Sequence, residues 1–116
     1  MPTTRSSKHP PLKPAVFQIL LALSDNAQHG LGIADRVEQT TGGAMRLGPG
    51  TLYRSLKQMT RDGLVAEIPA PGEDEDPRRK FHEITEAGRA VLEVEAGRYQ
   101  QIVEVAKQRQ VLHETR

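Results

Sequence analysis

Residues 47–64, LGPGTLYRSLKQMTRDGL, constrain this chain more than any other stretch. They open on a Gly48-Pro49-Gly50 turn and close on Gly63, a helix stop, which predicts a helix over residues 49–62. At roughly 100° per residue, Leu52, Leu56 and Met59 share one narrow stripe. Arg54, Lys57 and Arg61 take the opposite side, with Tyr53 at its flank. Such a helix has to lay its apolar back on a core and leaves a cationic front exposed. That front suits the major groove of a duplex, where phosphates and base edges are both in reach. An ordinary surface helix carries the same pattern, so the neighbouring segments decide between the two.

Upstream, residues 12–23, LKPAVFQILLAL, are apolar all round and predict a buried first helix with Pro14 in its first turn. Ser24-Asp25-Asn26 breaks it, and Gln28-His29-Gly30 reads as a turn shaped by His29. Residues 32–41 place Ile33, Ala34 and Val37 at helical spacing, and Gly42-Gly43 ends that second helix. Downstream of Gly63 the period changes. Residues 64–68, LVAEI, predict a short strand closed by Pro69, and residues 78–84, RRKFHEI, predict its returning partner. The acidic run Glu73-Asp74-Glu75-Asp76 sits in the loop between them. Thr85 is a fitting N-cap with Glu86 in the first turn, and one long helix is expected from there to about His113.

Helix, helix, turn, basic helix, hairpin, helix is the order of a winged helix-turn-helix domain. The expected fold is therefore mainly α with a small β-hairpin and a long C-terminal helix. Residues 1–11 read as a disordered arm, 12–84 as the DNA-binding domain and 85–116 as a dimerisation helix. At the residue level the chain resembles the PadR-like transcriptional regulators. The pieces that carry the resemblance are His29-Gly30-Leu31-Gly32-Ile33 and Leu47-Gly48-Pro49-Gly50-Thr51-Leu52-Tyr53, followed by Leu56 and Asp62-Gly63-Leu64-Val65. Arg78-Arg79-Lys80-Phe81 and Ile84-Thr85-Glu86-Ala87-Gly88 complete them. Together they cover about residues 12–100, and the single last helix resembles the short branch of the family. Leu31, Arg54 and Phe81-His82 depart from the family pattern, which often has Tyr, Pro and a Tyr-Tyr pair at these places.

Charge placement supports the same reading. The total is uninformative, since 16 basic and 15 acidic residues leave a formal net charge of +1. Between residues 46 and 61, however, there are four cations and no acid. A helix docked end-on would present Thr51, Tyr53 and Arg54 first, the hydroxyls to phosphate oxygens and the guanidinium to a guanine edge. Lys57 and Arg61 fall further along, where they would hold the backbone. Arg78, Arg79 and Lys80 lie where the wing returns, in reach of adjacent phosphates. The acidic run repels a duplex, so its tip is expected to point away.

The last helix, about 29 residues and roughly 43 Å, outruns a domain of this size. Leu92, Ala96, Tyr99, Val103 and Ala106 follow 4-3-4-3 spacing, a seam for a second copy, with the stretch near Leu92 expected to pack also on the first helix of its own chain. Val91, Val94, Ile102 and Val105 widen it. Tyr99, central on this helix, is the candidate contact for a small-molecule effector, although packing within the seam explains it as well.

Several function classes fall away. With no cysteine there is no disulfide, thiolate metal site or thiol nucleophile. His9, His29, His82 and His113 are scattered, without paired metal-ligand spacing, and no hydroxyl is matched to a histidine base. Neither a metal, a cofactor nor an enzyme is expected. No apolar run approaches the ~20 residues needed to span a bilayer, and the first residues lack the apolar core of a signal peptide. The expectation is a cytoplasmic homodimeric regulator, a repressor that binds a palindromic promoter site on double-stranded DNA and is released by a small molecule. The alternative is a winged-helix module for protein–protein contact without specific DNA binding.

Overall fold

The structure, a computed structural model, describes residues 10–72, 76 and 79–113. The elements follow in the order α1 (Pro14–Ala22), β1 (Gln28–His29), α2 (Gly30–Thr40), α3 (Pro49–Arg61), β2 (Val65–Ile68), β3 (Phe81–Ile84) and α4 (Glu86–Gln108). One core joins them. Ile19, Leu20 and Leu23 at the end of α1 meet Ile33 and Val37 of α2, Leu52, Leu56 and Met59 of α3, Val65 of β2 and Leu92 of α4. Each such side chain contributes roughly 1.5–3 kcal/mol by leaving water.

The first helix starts at Pro14 behind Lys13, which spares the chain an N–H that no turn could satisfy. It is not buried all round: Leu21 faces out, because the core takes up only the side that meets α2, α3 and α4. Two arginines close its far end, where carbonyls lack helical partners. Arg36 Nη1 donates to the Ala22 carbonyl at 2.8 Å and Arg89 Nη2 to the Ser24 carbonyl at 2.6 Å. His29 caps α2, its Nδ1 accepting from the Gly32 N–H at 3.1 Å.

The β structure is larger than the expected hairpin. A third strand, β1, pairs antiparallel with β3 through Gln28↔His82 and His29↔Phe81, giving the order β1-β3-β2. Two residues in a turn-like setting carry no periodic signal, so only the approach of β3 makes them a strand. β2 pairs with β3 over Val65↔Ile84, Ala66↔Glu83, Glu67↔His82 and Ile68↔Phe81. The returning strand starts at Phe81 rather than Arg78. As the central strand it buries both Phe81 and His82, against simple in–out alternation.

α4 is shorter than expected. It ends at Gln108, 23 residues or about 34 Å long, because Gln110 turns into the left-handed region at φ 63°. The Val111 N–H then bonds the Ala106 carbonyl at 2.8 Å and the Gln110 N–H that of Lys107 at 3.0 Å, the Schellman closure. Glycine normally marks such a stop, as Gly63 does at φ 78° after α3, and a glutamine gives no warning of it.

Thr85 fastens α4 to the turn after α3. Its Oγ1 accepts from the Gly88 N–H at 3.0 Å and donates to the Gly63 carbonyl at 2.6 Å, and its own N–H bonds the Leu64 carbonyl at 3.1 Å. Gly88 approaches that same Leu64 carbonyl so closely that a Cβ has no room. In an open helix, glycine to alanine gains up to ~1 kcal/mol. Here Gly88→Ala should instead cost about 2 kcal/mol or more, by the overpacking it forces. Chemical denaturation reads the sign, and a stabilised variant would refute the close approach.

Candidate nucleic-acid interface

The site is built on the roll of α3. With Leu52, Leu56 and Met59 at 3%, 2% and 1% exposure, the helix cannot turn about its axis without uncovering its stripe. Thr51, Tyr53, Arg54, Lys57 and Arg61 are therefore held outward, all exposed. The first turn has no acidic side chain and Gly48 supplies no side-chain cap, so nothing local offsets the partial positive charge at that end. Tyr53 leans back onto α2. A Cβ on Gly30 would come within 2.7 Å of its hydroxyl, so glycine is what lets the phenol lie there.

Most of the other described cations have partners. Arg36 and Arg89 are bound to backbone carbonyls, Arg46 faces Glu38 at 3.4 Å, Arg98 faces Glu95 at 2.9 Å and Lys107 faces Glu104 at 3.7 Å. Among the described residues, Arg54, Lys57 and Arg61 make no ion pair. They are available to an anion from outside.

Arg79 and Lys80 precede β3 instead of lying within it. Lys80 Nζ stands 3.6 Å from Glu67 Oε2, with both side chains substantially exposed. Such a pair contributes at most about 1 kcal/mol and exchanges readily for a phosphate. Arg79 Nη1 is 3.1 Å from His29 Nε2, while the other ring nitrogen of His29 accepts from Gly32. A neutral imidazole has a single acceptor nitrogen, so the α2 cap and the Arg79 contact compete for it. The edge of Phe81 against His29, with centroids 5.3 Å apart, holds the ring in place. Tyr53 over Gly30, and His29 against Arg79, thus form a continuous path from α3 to the wing. Arg78 and residues 73–75 of the acidic run lie outside the described residues, as do residues 1–9 of the arm.

The seam residues of α4 divide. Leu92, at 5% exposure, belongs to the domain's own core and has no surface left for a partner, because α1 packs over the start of α4. Ala96 is exposed and Ala106 half-buried. Tyr99, 41% exposed, packs its ring on Phe17 with centroids 4.7 Å apart. Val103, Ile102 and Val105 are exposed beyond it. Two residues escaped the sequence reading. Lys13, exposed ahead of α1, lines one groove with Arg54, Lys57 and Arg61; Glu95 is almost wholly buried at 3% exposure. Neither position stands out in a linear pattern.

Among the described residues no three histidine, aspartate or glutamate side chains are grouped as a metal would require. No helix among them is long and apolar enough to cross a membrane.

The profile of the transcriptional regulator PadR-like family matches residues 19–94. The crystal structure of a PadR family transcription regulator from hypervirulent Clostridium difficile R20291 superposes with a TM-score of 0.68 at 26% identity, covering 80% of this chain and 94% of that one. Bacillus subtilis PadR in complex with operator DNA shares the fold, with a TM-score of 0.60 at 18% identity over 70% of this chain and 45% of that one. An uncharacterized 37.1 kDa protein in transposon TN4556 of Streptomyces fradiae is 41% identical over 82 residues, 71% of this chain. The match spans 22% of that relative's length.

His82 carries a pH dependence. Burial holds its pKa below the ordinary 6.5, Glu67 opposes this and Lys80 adds to it. Its Nδ1 has no hydrogen-bond partner among the described residues. The unfolded chain therefore binds this proton more readily than the folded one. Stability should be complete above about pH 6.5 and decline as the pH falls below it. Thermal melts at about pH 7.5 and about pH 5 should show the decline, and His82→Leu should make it shallower. An unchanged pH profile in that variant would assign the effect elsewhere.

Proposed function

Because the chain belongs to the PadR-like family of transcriptional regulators, we propose that it binds double-stranded DNA sequence-specifically, as a homodimer, and represses by occupying a palindromic promoter site. The observation that carries this reading is the face of α3, where Arg54, Lys57 and Arg61 stand exposed, without an anionic partner among the described residues, opposite a fully buried stripe. In this reading Arg54 reads a guanine through two parallel hydrogen bonds. Thr51 and Tyr53 give hydroxyls to phosphate oxygens, and Lys57 and Arg61 hold the backbone. Arg79 and Lys80, with Arg78 beside them, reach the flanking phosphates from the wing. That Bacillus subtilis PadR has been captured with operator DNA on the same fold supports the assignment.

Residues 12–84 are the DNA-binding unit in this proposal and 85–116 the dimerisation helix. Exposed Tyr99, Ile102, Val103 and Val105, with Ala96 and Ala106, offer the apolar stripe that a second copy would cover. Two α3 helices about 34 Å apart would read successive major grooves on one side of the duplex. A small molecule that inserts at Tyr99 would change that spacing and release the site. The setting is the cytoplasm, where the DNA is.

A gel shift on the gene's own upstream region across a salt series tests the reading. Specific retention should weaken steeply with salt, and absence of binding at low salt would refute it. Arg54→Ala should lose about 1–3 kcal/mol of discrimination between sites, whereas Lys57→Ala should weaken all sites alike and reduce the salt slope by about 0.9. Equal, uniform losses in both would refute the division of roles. Sedimentation equilibrium tests the assembly: the wild type should run at twice its 12.8 kDa mass, and Val103→Glu as a monomer. A monomeric wild type would overturn the dimer.

A further inference from the structure

The chain ahead of α1 is held beside the reading helix by a carboxylate from the opposite end of the sequence. Glu95 of α4 uses both of its oxygens. Oε2 accepts from the Leu12 N–H at 2.9 Å, across 83 positions of sequence, and Oε1 accepts from Arg98 Nη1 at 2.9 Å. With Glu95 at 3% exposure, these charge-assisted bonds are shielded from water, and loss of either would leave a buried charge or donor unmatched. On its other side Lys13 precedes Pro14, which confines it to the extended backbone observed, φ −62° and ψ 145°. The backbone of Lys13 is thereby fixed from both directions.

What that fixed backbone presents is a cation. Lys13 is exposed and lines a groove of about 960 Å³ together with Arg54, Lys57 and Arg61, over an apolar floor that includes Val16 and Met59. Asp62 is the acid in the same lining, and its Oδ1 is engaged by Gln58 Nε2 at 3.1 Å. Four cations against one carboxylate make the groove attractive to a polyanion. Among the described residues Lys13 makes no ion pair.

We infer that Glu95 is a positioning residue for DNA binding: by holding Leu12 it sets Lys13 against a backbone phosphate beside those met by Lys57 and Arg61. The inference rests on the DNA-binding reading above and adds a cation from outside α3 and the wing. It also ties α4 directly to the reading face.

Equilibrium binding of the full chain to a duplex of random sequence, across a salt series, tests the link. One phosphate contact contributes about 0.9 to the slope of log K against log salt. Lys13→Ala should lower the slope by that amount and weaken binding on the order of fivefold at about 0.1 M salt. Glu95→Ala should lower it equally, and the double variant no further, since both remove one contact. Glu95→Gln should restore the wild-type slope, because its amide oxygen still accepts from Leu12. If Glu95→Ala does not fold by circular dichroism, Glu95→Asp keeps the charge beside Arg98 but falls a methylene short of Leu12, and should match Lys13→Ala. A wild-type slope in Lys13→Ala, additive losses in the double variant, or Glu95→Gln behaving like Glu95→Ala would each overturn the inference. Failure of the wild type to bind at all would overturn the parent reading instead, and is seen before any variant is made.

Discussion

The cationic face of this molecule depends on how α3 is seated. Three side chains, Leu52, Leu56 and Met59, are buried to within 3% of completely against α1 and α2. A rotation of α3 by one residue position would bring Arg54 or Lys57 toward that interior, where an unpaired charge costs several kcal/mol. Hydrophobic burial thus acts as a steering constraint. It aims cations by making every other orientation expensive.

The second constraint is how the remaining charges are disposed. A nearly neutral chain can still present a strongly signed face if its acids are engaged elsewhere. Glu38, Glu67, Glu95 and Glu104 face Arg46, Lys80, Arg98 and Lys107, and Arg36 and Arg89 close the end of α1. Among the described residues, the cations of α3, Lys13 and Arg109 are left over. What separates the α3 cations from ordinary surface lysines and arginines is that three of them, without an ion pair among the described residues, share one face.

Packing around α4 unites the two ends of the chain. Its first turn is fastened to the α3–β2 turn through Thr85 and Gly88, its middle holds the pre-α1 segment through Glu95, and Tyr99 rests on Phe17. A change in α4 therefore has two direct mechanical routes to the cationic face of α3. The wing is less tightly held, since its Lys80 pair is exposed and Arg79 shares His29 with a helix cap.

Local patterns in the sequence determined the helices, the stripe and cationic front of α3, the stop at Gly63 and the Thr85 cap, because each depends on periodicity or backbone geometry within a few residues. The family resemblance followed from the same short pieces. Tertiary structure alone decided the rest. β1 exists because β3 runs beside Gln28 and His29, and the last helix stops at a glutamine whose left-handed turn has no sequence mark. Glu95 became a buried anchor. These outcomes turn on which distant surfaces meet. A one-dimensional pattern records which residues share a face, but which face another element will cover is settled only when the chain closes on itself.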